Sequence, residues 1–157
     1  MTNMRTHETY MRRCLELGRM ALEAGETPVG SLVLRGDAIL GEGQEESRSL
    51  LDPSAHAEVL AIRAACRALG STDLSGCTLY TTVEPCVLCA YVIRQTGVSQ
   101  VVYGVPAGQA GGVTSRYAIL TDSELARWPA PPEVVAGVLA EECRDLLQRP
   151  RGQSLRL

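Results

Sequence analysis

Between Val29 and Val105, short apolar runs of strand length alternate with segments whose apolar residues recur at helical spacing, and no other feature constrains the fold as much. Val29 to Leu34 and Ala38 to Gly41 flank Arg35, Gly36 and Asp37, which suits a hairpin. Val59, Ile62, Cys66 and Leu69 then trace one helical face that stops at Gly70. Cys77 to Val83 reads as a strand, Cys86 to Thr96 as a helix closed by Gly97, and Gln100 to Val105 as a further strand. Alternation of this kind argues for an open α/β sheet covered by helices on both faces. An amphipathic segment from Thr6 to Ala24 precedes the block. After the Gly- and Pro-rich stretch from Pro106 to Pro132, Glu133 to Ala136 and Val138 to Gln148 supply a last strand and helix. Gly43 to Asp52 reads as a surface loop, with Asp52 placed to cap the next helix and Pro53 at its first position. With no repeat, linker or shift in composition, residues 1–157 read as a single domain.

The residue types that are missing narrow the chemistry. All 15 cationic side chains are Arg, so a Lys Schiff base, a P-loop Lys and a Lys general base are excluded. Any imidazole must come from His7, which reads as a surface residue, or from His56. A net charge of -3 argues against a chain whose main business is binding polyanions, although Arg144, Arg149, Arg151 and Arg156 leave the C-terminal segment locally basic. Met1 to Arg13 lack the apolar core of a secretion signal, and no run reaches membrane-spanning length; a cytoplasmic protein with no membrane partner is expected. Six Cys in such a compartment point to reduced thiols or metal ligands rather than disulfides. Cys14, Cys66 and Cys143 sit in helical patterns and read as small core residues, and Cys77 opens a strand without an evident partner.

Chemistry concentrates in three elements: His56-Ala57-Glu58, Glu84-Pro85-Cys86, and Cys89. On a helix Cys86 and Cys89 share one face near an N-terminus whose dipole favours thiolate. A redox pair uses the same spacing, so a third ligand has to decide. From His56 to Leu69 a helix rises about 21 Å, and Cys77 to Val83 spans about 23 Å as a strand. If the two elements pack antiparallel, these lengths nearly cancel and Cys86 returns to His56. One His and two Cys are three protein ligands, one short of a closed structural site, and a catalytic zinc keeps that fourth position for water. A purely structural zinc would need another protein ligand, and none suggests itself. Glu58 lies about 200° round a helix from position 56. It is therefore placed as a proton-shuttling base rather than a ligand.

His56-Ala57-Glu58 with Pro85-Cys86-Val87-Leu88-Cys89 resembles the HxE and PCxxC signature of the cytidine deaminase superfamily, whose zinc and Glu roles are already general knowledge of that superfamily. Thr27-Pro28-Val29-Gly30, Asp52 to Glu58, Thr78 to Cys86 and Val101-Val102-Tyr103-Gly104 are similar to the branch of tRNA adenosine deaminases, guanine deaminases and fungal-type cytosine deaminases. The resemblance covers roughly residues 7 to 105. It implies a three-layer α/β/α sandwich with a five-stranded mixed sheet, a Zn²⁺ ion on His56, Cys86 and Cys89, Glu58 as catalytic acid and base, and a homodimer or larger assembly. It also implies that Val29, Ala57 and Glu84 face the substrate.

Departures from the branch bear on substrate. Glu45 stands where these relatives usually carry an Asn; an ionised carboxylate only accepts hydrogen bonds, so it either reads N–H groups or hydroxyls of the substrate or belongs to a solvated acidic loop. Tyr91 stands where relatives commonly have Gly, and its ring either narrows the pocket or packs under the sheet. Gly104 to Ser115 lacks the charged residues that tRNA-acting relatives often place there. With 4% aromatic residues and a net negative charge, the composition favours a small amino-heterocycle, a free nucleobase or nucleoside, over RNA. A tRNA adenosine deaminase is the alternative, and a non-enzymatic zinc-stabilised interaction domain is a third reading.

Overall fold

A computed structural model describes residues 3–150 of the chain. The elements run α1 (Met4–Glu23), β1 (Gly30–Arg35), β2 (Ala38–Gln44), α2 (Ala57–Leu69), β3 (Thr78–Val83), α3 (Val87–Thr96), β4 (Gln100–Val105), β5 (Glu133–Val135) and α4 (Ala140–Gln148). Arg151 and Arg156 of the expected basic segment lie outside the described residues.

The central strands are apolar at successive positions, and successive side chains leave opposite faces of a sheet. Leu32 and Leu34 of β1, Tyr80 of β3 and Val102 of β4 therefore enter one core, with Met11, Cys14 and Leu15 of α1 and Cys143 and Leu146 of α4. Their neighbours Val33, Leu79 and Val101 enter the other, with Ala61, Ile62 and Ala65 of α2 and Ala90 and Ile93 of α3. Strands buried on both faces force helices onto both sides, which gives the α/β/α layering. The five strands stand in the order β2-β1-β3-β4-β5. β1 is antiparallel to both β2 and β3, while β3, β4 and β5 are mutually parallel, so the sheet is mixed as expected.

This topology fixes where the chemistry sits. β2 and β3 both run against β1 and hence in the same direction, so α2 and α3, which follow them, start at the same end of the sheet. Small residues set how closely α2 lies on β2: a Cβ on Gly41 would stand 2.5 Å from the Ala61 carbonyl oxygen, and one on Gly43 would collide with that of Ala57.

Two local expectations fail for identifiable reasons. Asp52 does not cap α2. Its Oδ1 accepts from the Ser54 amide at 2.9 Å and the Ser54 hydroxyl at 2.7 Å, a local turn that spends the acceptor and delays the helix to Ala57. His7 is not a surface residue either: it is buried, with Nδ1 2.9 Å from the Tyr80 hydroxyl. His7, Met11 and Cys14 are spaced at i, i+4 and i+7, so the helical period itself places the imidazole on the apolar face. Among the described residues no helix is long and apolar enough to cross a membrane.

Candidate active site

His56 is the N-cap of α2 and Cys86 the N-cap of α3, both on extended backbone, so neither side chain is confined to a helix face. His56 thus stands just outside the helix whose first turn carries Glu58. His56 Nδ1 lies 3.5 Å from Cys86 Sγ and 3.4 Å from Cys89 Sγ, and the three ligand atoms all fall within 4.8 Å of one another. Tetrahedral zinc, with Zn–N near 2.05 Å and Zn–S near 2.3 Å, separates N and S donors by about 3.6 Å. The donor set therefore fits zinc without rearrangement. Among the described residues no fourth His, Cys, Asp or Glu joins the group.

The three clustered groups shift one another's titration. A hydrogen bond from Cys89 holds the Cys86 thiol down at about 4, against the cost of burial and with further help from His56. The same contact and burial push Cys89 up, while the bond to Cys86 raises His56 to about 9. Glu58, on the first turn of α2, is buried beside it; desolvation lifts its carboxyl to about 7, opposed by the Thr81 hydroxyl donating to Oε1 at 2.9 Å. The other oxygen, Oε2, accepts from the Cys89 thiol at 3.5 Å. A carboxyl held near neutral pH can take a proton and give it back.

A cavity of about 250 Å³ opens onto these groups. Val29, Glu45 and Glu84 join His56, Glu58 and Cys86 in its walls, and so do Thr27, Val83 and Ala107, which sequence reasoning missed. Thr27 and Val83 adjoin residues already singled out, so proximity was an available signal; Ala107 lies in the unpredictable stretch and carried none. Glu45 is nearly buried, not part of a solvated loop, and accepts from the Ser47 hydroxyl at 2.6 Å. Its loop is pinned by buried Glu26, which accepts from the Ser49 amide and hydroxyl, each at 2.7 Å, and from the Arg48 amide at 3.3 Å. Despite burial, those donors hold the Glu26 carboxyl below its ordinary range.

Two expected substrate contacts, Ala57 and Tyr91, stand away from the cavity, and a third, Glu84, lines it but bonds its own chain. Ala57 is fully buried under β2 and is not a wall of the cavity. Tyr91 neither narrows the cavity nor packs under the sheet: it is 41% exposed, its ring edge-on to Trp128 at 5.9 Å. The Glu84 carboxylate is taken up by the following loop. It accepts from the amides of Ala107 (3.0 Å), Val113 (2.8 Å) and Thr114 (2.8 Å) and from the Thr114 hydroxyl (2.7 Å). Burial opposes ionisation, yet these donors hold the Glu84 carboxyl below its ordinary range. A Cβ on Gly111 would run into that carboxylate.

The family model described as the cytidine and deoxycytidylate deaminase zinc-binding region matches residues 4–105. The tRNA-specific adenosine deaminase of Aquifex aeolicus is 35% identical over 138 residues, which are 86% of this chain and 91% of that protein. A structure from a study of A-to-I editing by tRNA:A34 deaminases at the wobble position superimposes with a TM-score of 0.82 at 30% identity, covering 88% of this chain and 98% of that one. Guanine deaminase of Bacillus subtilis is 40% identical but covers 64% of each chain, with a TM-score of 0.62. These likenesses overturn the expectation of a free nucleobase, nucleoside or other small amino-heterocycle as substrate and partner. The curated relatives matched over at least 80% of their own length are named tRNA-specific adenosine deaminases, at 32–39% identity, whereas a guanine deaminase matched over 82% of its length, that of Nitrosomonas europaea, is 25% identical.

Proposed function

Because the chain belongs to the cytidine and deoxycytidylate deaminase family, and is therefore a zinc-dependent hydrolase of C–N bonds in cyclic amidines, we propose that it converts adenosine to inosine in tRNA. The observation that carries this reading is end-to-end likeness to a tRNA-specific adenosine deaminase, over 86% of this chain and 91% of the relative. Residues 1–157 act as one deaminase domain, since α1 through α4 pack on a single sheet.

His56, Cys86 and Cys89 hold the zinc. When bound, zinc supplies Lewis acidity and lowers the pKa of coordinated water from about 15.7 to about 7. Glu58 accepts a proton from the attacking water and delivers it to the departing amine; a C–O bond forms at C6 of adenine, the C6–N bond breaks, and ammonia leaves. Thr81 orients the Glu58 carboxylate through Oε1. Glu45 and Val29 line the substrate cavity, where Glu45 accepts hydrogen bonds from hydroxyl or N–H groups of the nucleoside. Exposed Leu88 and Tyr91 on α3 suit burial in a homodimer. Free thiols throughout the described residues and a tRNA substrate suit the cytoplasm.

Incubating the zinc-loaded protein with unmodified tRNA transcripts and digesting the product to nucleosides tests the reading. Inosine is expected with the wild-type protein and absent with Glu58→Ala. Transcripts that stay unmodified under both proteins would refute it.

A further inference from the structure

Between the catalytic cavity and the last strand the chain forms a loop pinned at both ends by buried charges. Glu84 takes up Ala107, Val113 and Thr114 at one end. At the other, Arg94, buried on α3, donates from Nη1 to the carbonyl oxygens of Ile119 at 2.8 Å and Asp122 at 2.7 Å. Between these anchors Arg116 and Tyr117 project into solvent, Tyr117 48% exposed. The Arg116 guanidinium lies 4.7 Å from the Tyr117 ring centroid, and among the described residues no carboxylate pairs with it. The two residues wall an open groove of about 760 Å³ with Gly108, Gln109, Thr114 and Ser115. The chain passes directly from the catalytic cavity, which Ala107 lines, to this groove, which Gly108 lines.

We infer that the Arg116–Tyr117 tip is a stacking platform for the single-stranded nucleotide next to the adenosine in the cavity. An exposed aromatic face takes a base of any sequence, and a neighbouring unpaired guanidinium takes its phosphate. Buried anchors at both ends hold the platform in place before RNA arrives, so little ordering cost falls on binding. The inference rests on the tRNA reading and adds to it the residues that hold the strand.

The test is deamination of a tRNA anticodon stem-loop by the zinc-loaded protein, comparing wild type with Tyr117→Ala, Tyr117→Phe and Arg116→Ala. Loss of one base–aromatic stack should raise KM for Tyr117→Ala by about 5- to 150-fold with kcat nearly unchanged. Tyr117→Phe should behave as wild type, and zinc content should be equal in all. Abasic stem-loops, carrying the lesion on either side of the target in turn, identify the base concerned. On one side the lesion should weaken wild type by the same factor and leave Tyr117→Ala no weaker than before. Wild-type turnover with Tyr117→Ala unimpaired, or a lesion equally costly to both proteins, would overturn the platform alone. Failure of wild type to deaminate the stem-loop would overturn the tRNA reading and the platform with it.

Discussion

At the scale of single residues, the proposed reading assigns holding the metal to His56, Cys86 and Cys89 and moving the proton to Glu58, and variants should separate the two. Glu58→Ala should keep about one zinc per chain and lose turnover by at least about 10²-fold, the usual worth of a general acid–base. Cys86→Ala should lose the metal as well, as read by elemental analysis. Glu45→Gln keeps the size and surrenders the charge of a nearly buried group that bonds Ser47. It should lower kcat/KM on tRNA by about 5- to 150-fold with zinc content unchanged, the range for one buried hydrogen bond. The ligand set could be read from sequence because its spacing, not its surroundings, encodes the geometry. Glu84, Glu26 and Arg94 could not be read so, since each binds backbone groups of loops 22 to 35 residues away that carry no periodic signal.

At the scale of elements, the pattern of apolar residues located the α-helices and strands but not the 3-10 turn at Gly108–Ala110, while the ends were set by local hydrogen bonding. Asp52 illustrates the gap, since an Asp before Pro serves as well in a turn as in a cap. The fit of α2 on β2 should be sensitive to a single methyl group. Gly43→Ala drives a Cβ into the Ala57 carbonyl at the start of α2 and should cost about 1–3 kcal/mol in denaturant unfolding, as overpacking does. The contact of α1 with β3 should respond to pH through His7. Desolvation lowers its pKa from 6.5 in the fold, partly offset by Glu133, so the unfolded chain binds the proton more readily. Its contribution to stability is complete above pH 6.5 and is lost as pH falls through the folded value. Melting temperatures of wild type and His7→Gln across that range should therefore differ in slope, the wild type falling more steeply on acidification.

For the molecule as a whole, composition pointed away from RNA because a net charge of -3 and 4% aromatics are averages over the chain. Recognition of a strand needs only a few groups beside the cavity, and averages cannot show where Arg116 and Tyr117 stand. The catalytic signature, being local, was informative about reaction type and silent about substrate size. The measurement that bears most directly on the central claim is a competition in one vessel. Zinc-loaded protein is given a tRNA anticodon stem-loop together with free adenosine, guanine and cytosine, and each product is quantified. Inosine should accumulate in the stem-loop while the free heterocycles remain intact; deamination of a free base or nucleoside with the stem-loop untouched would contradict it.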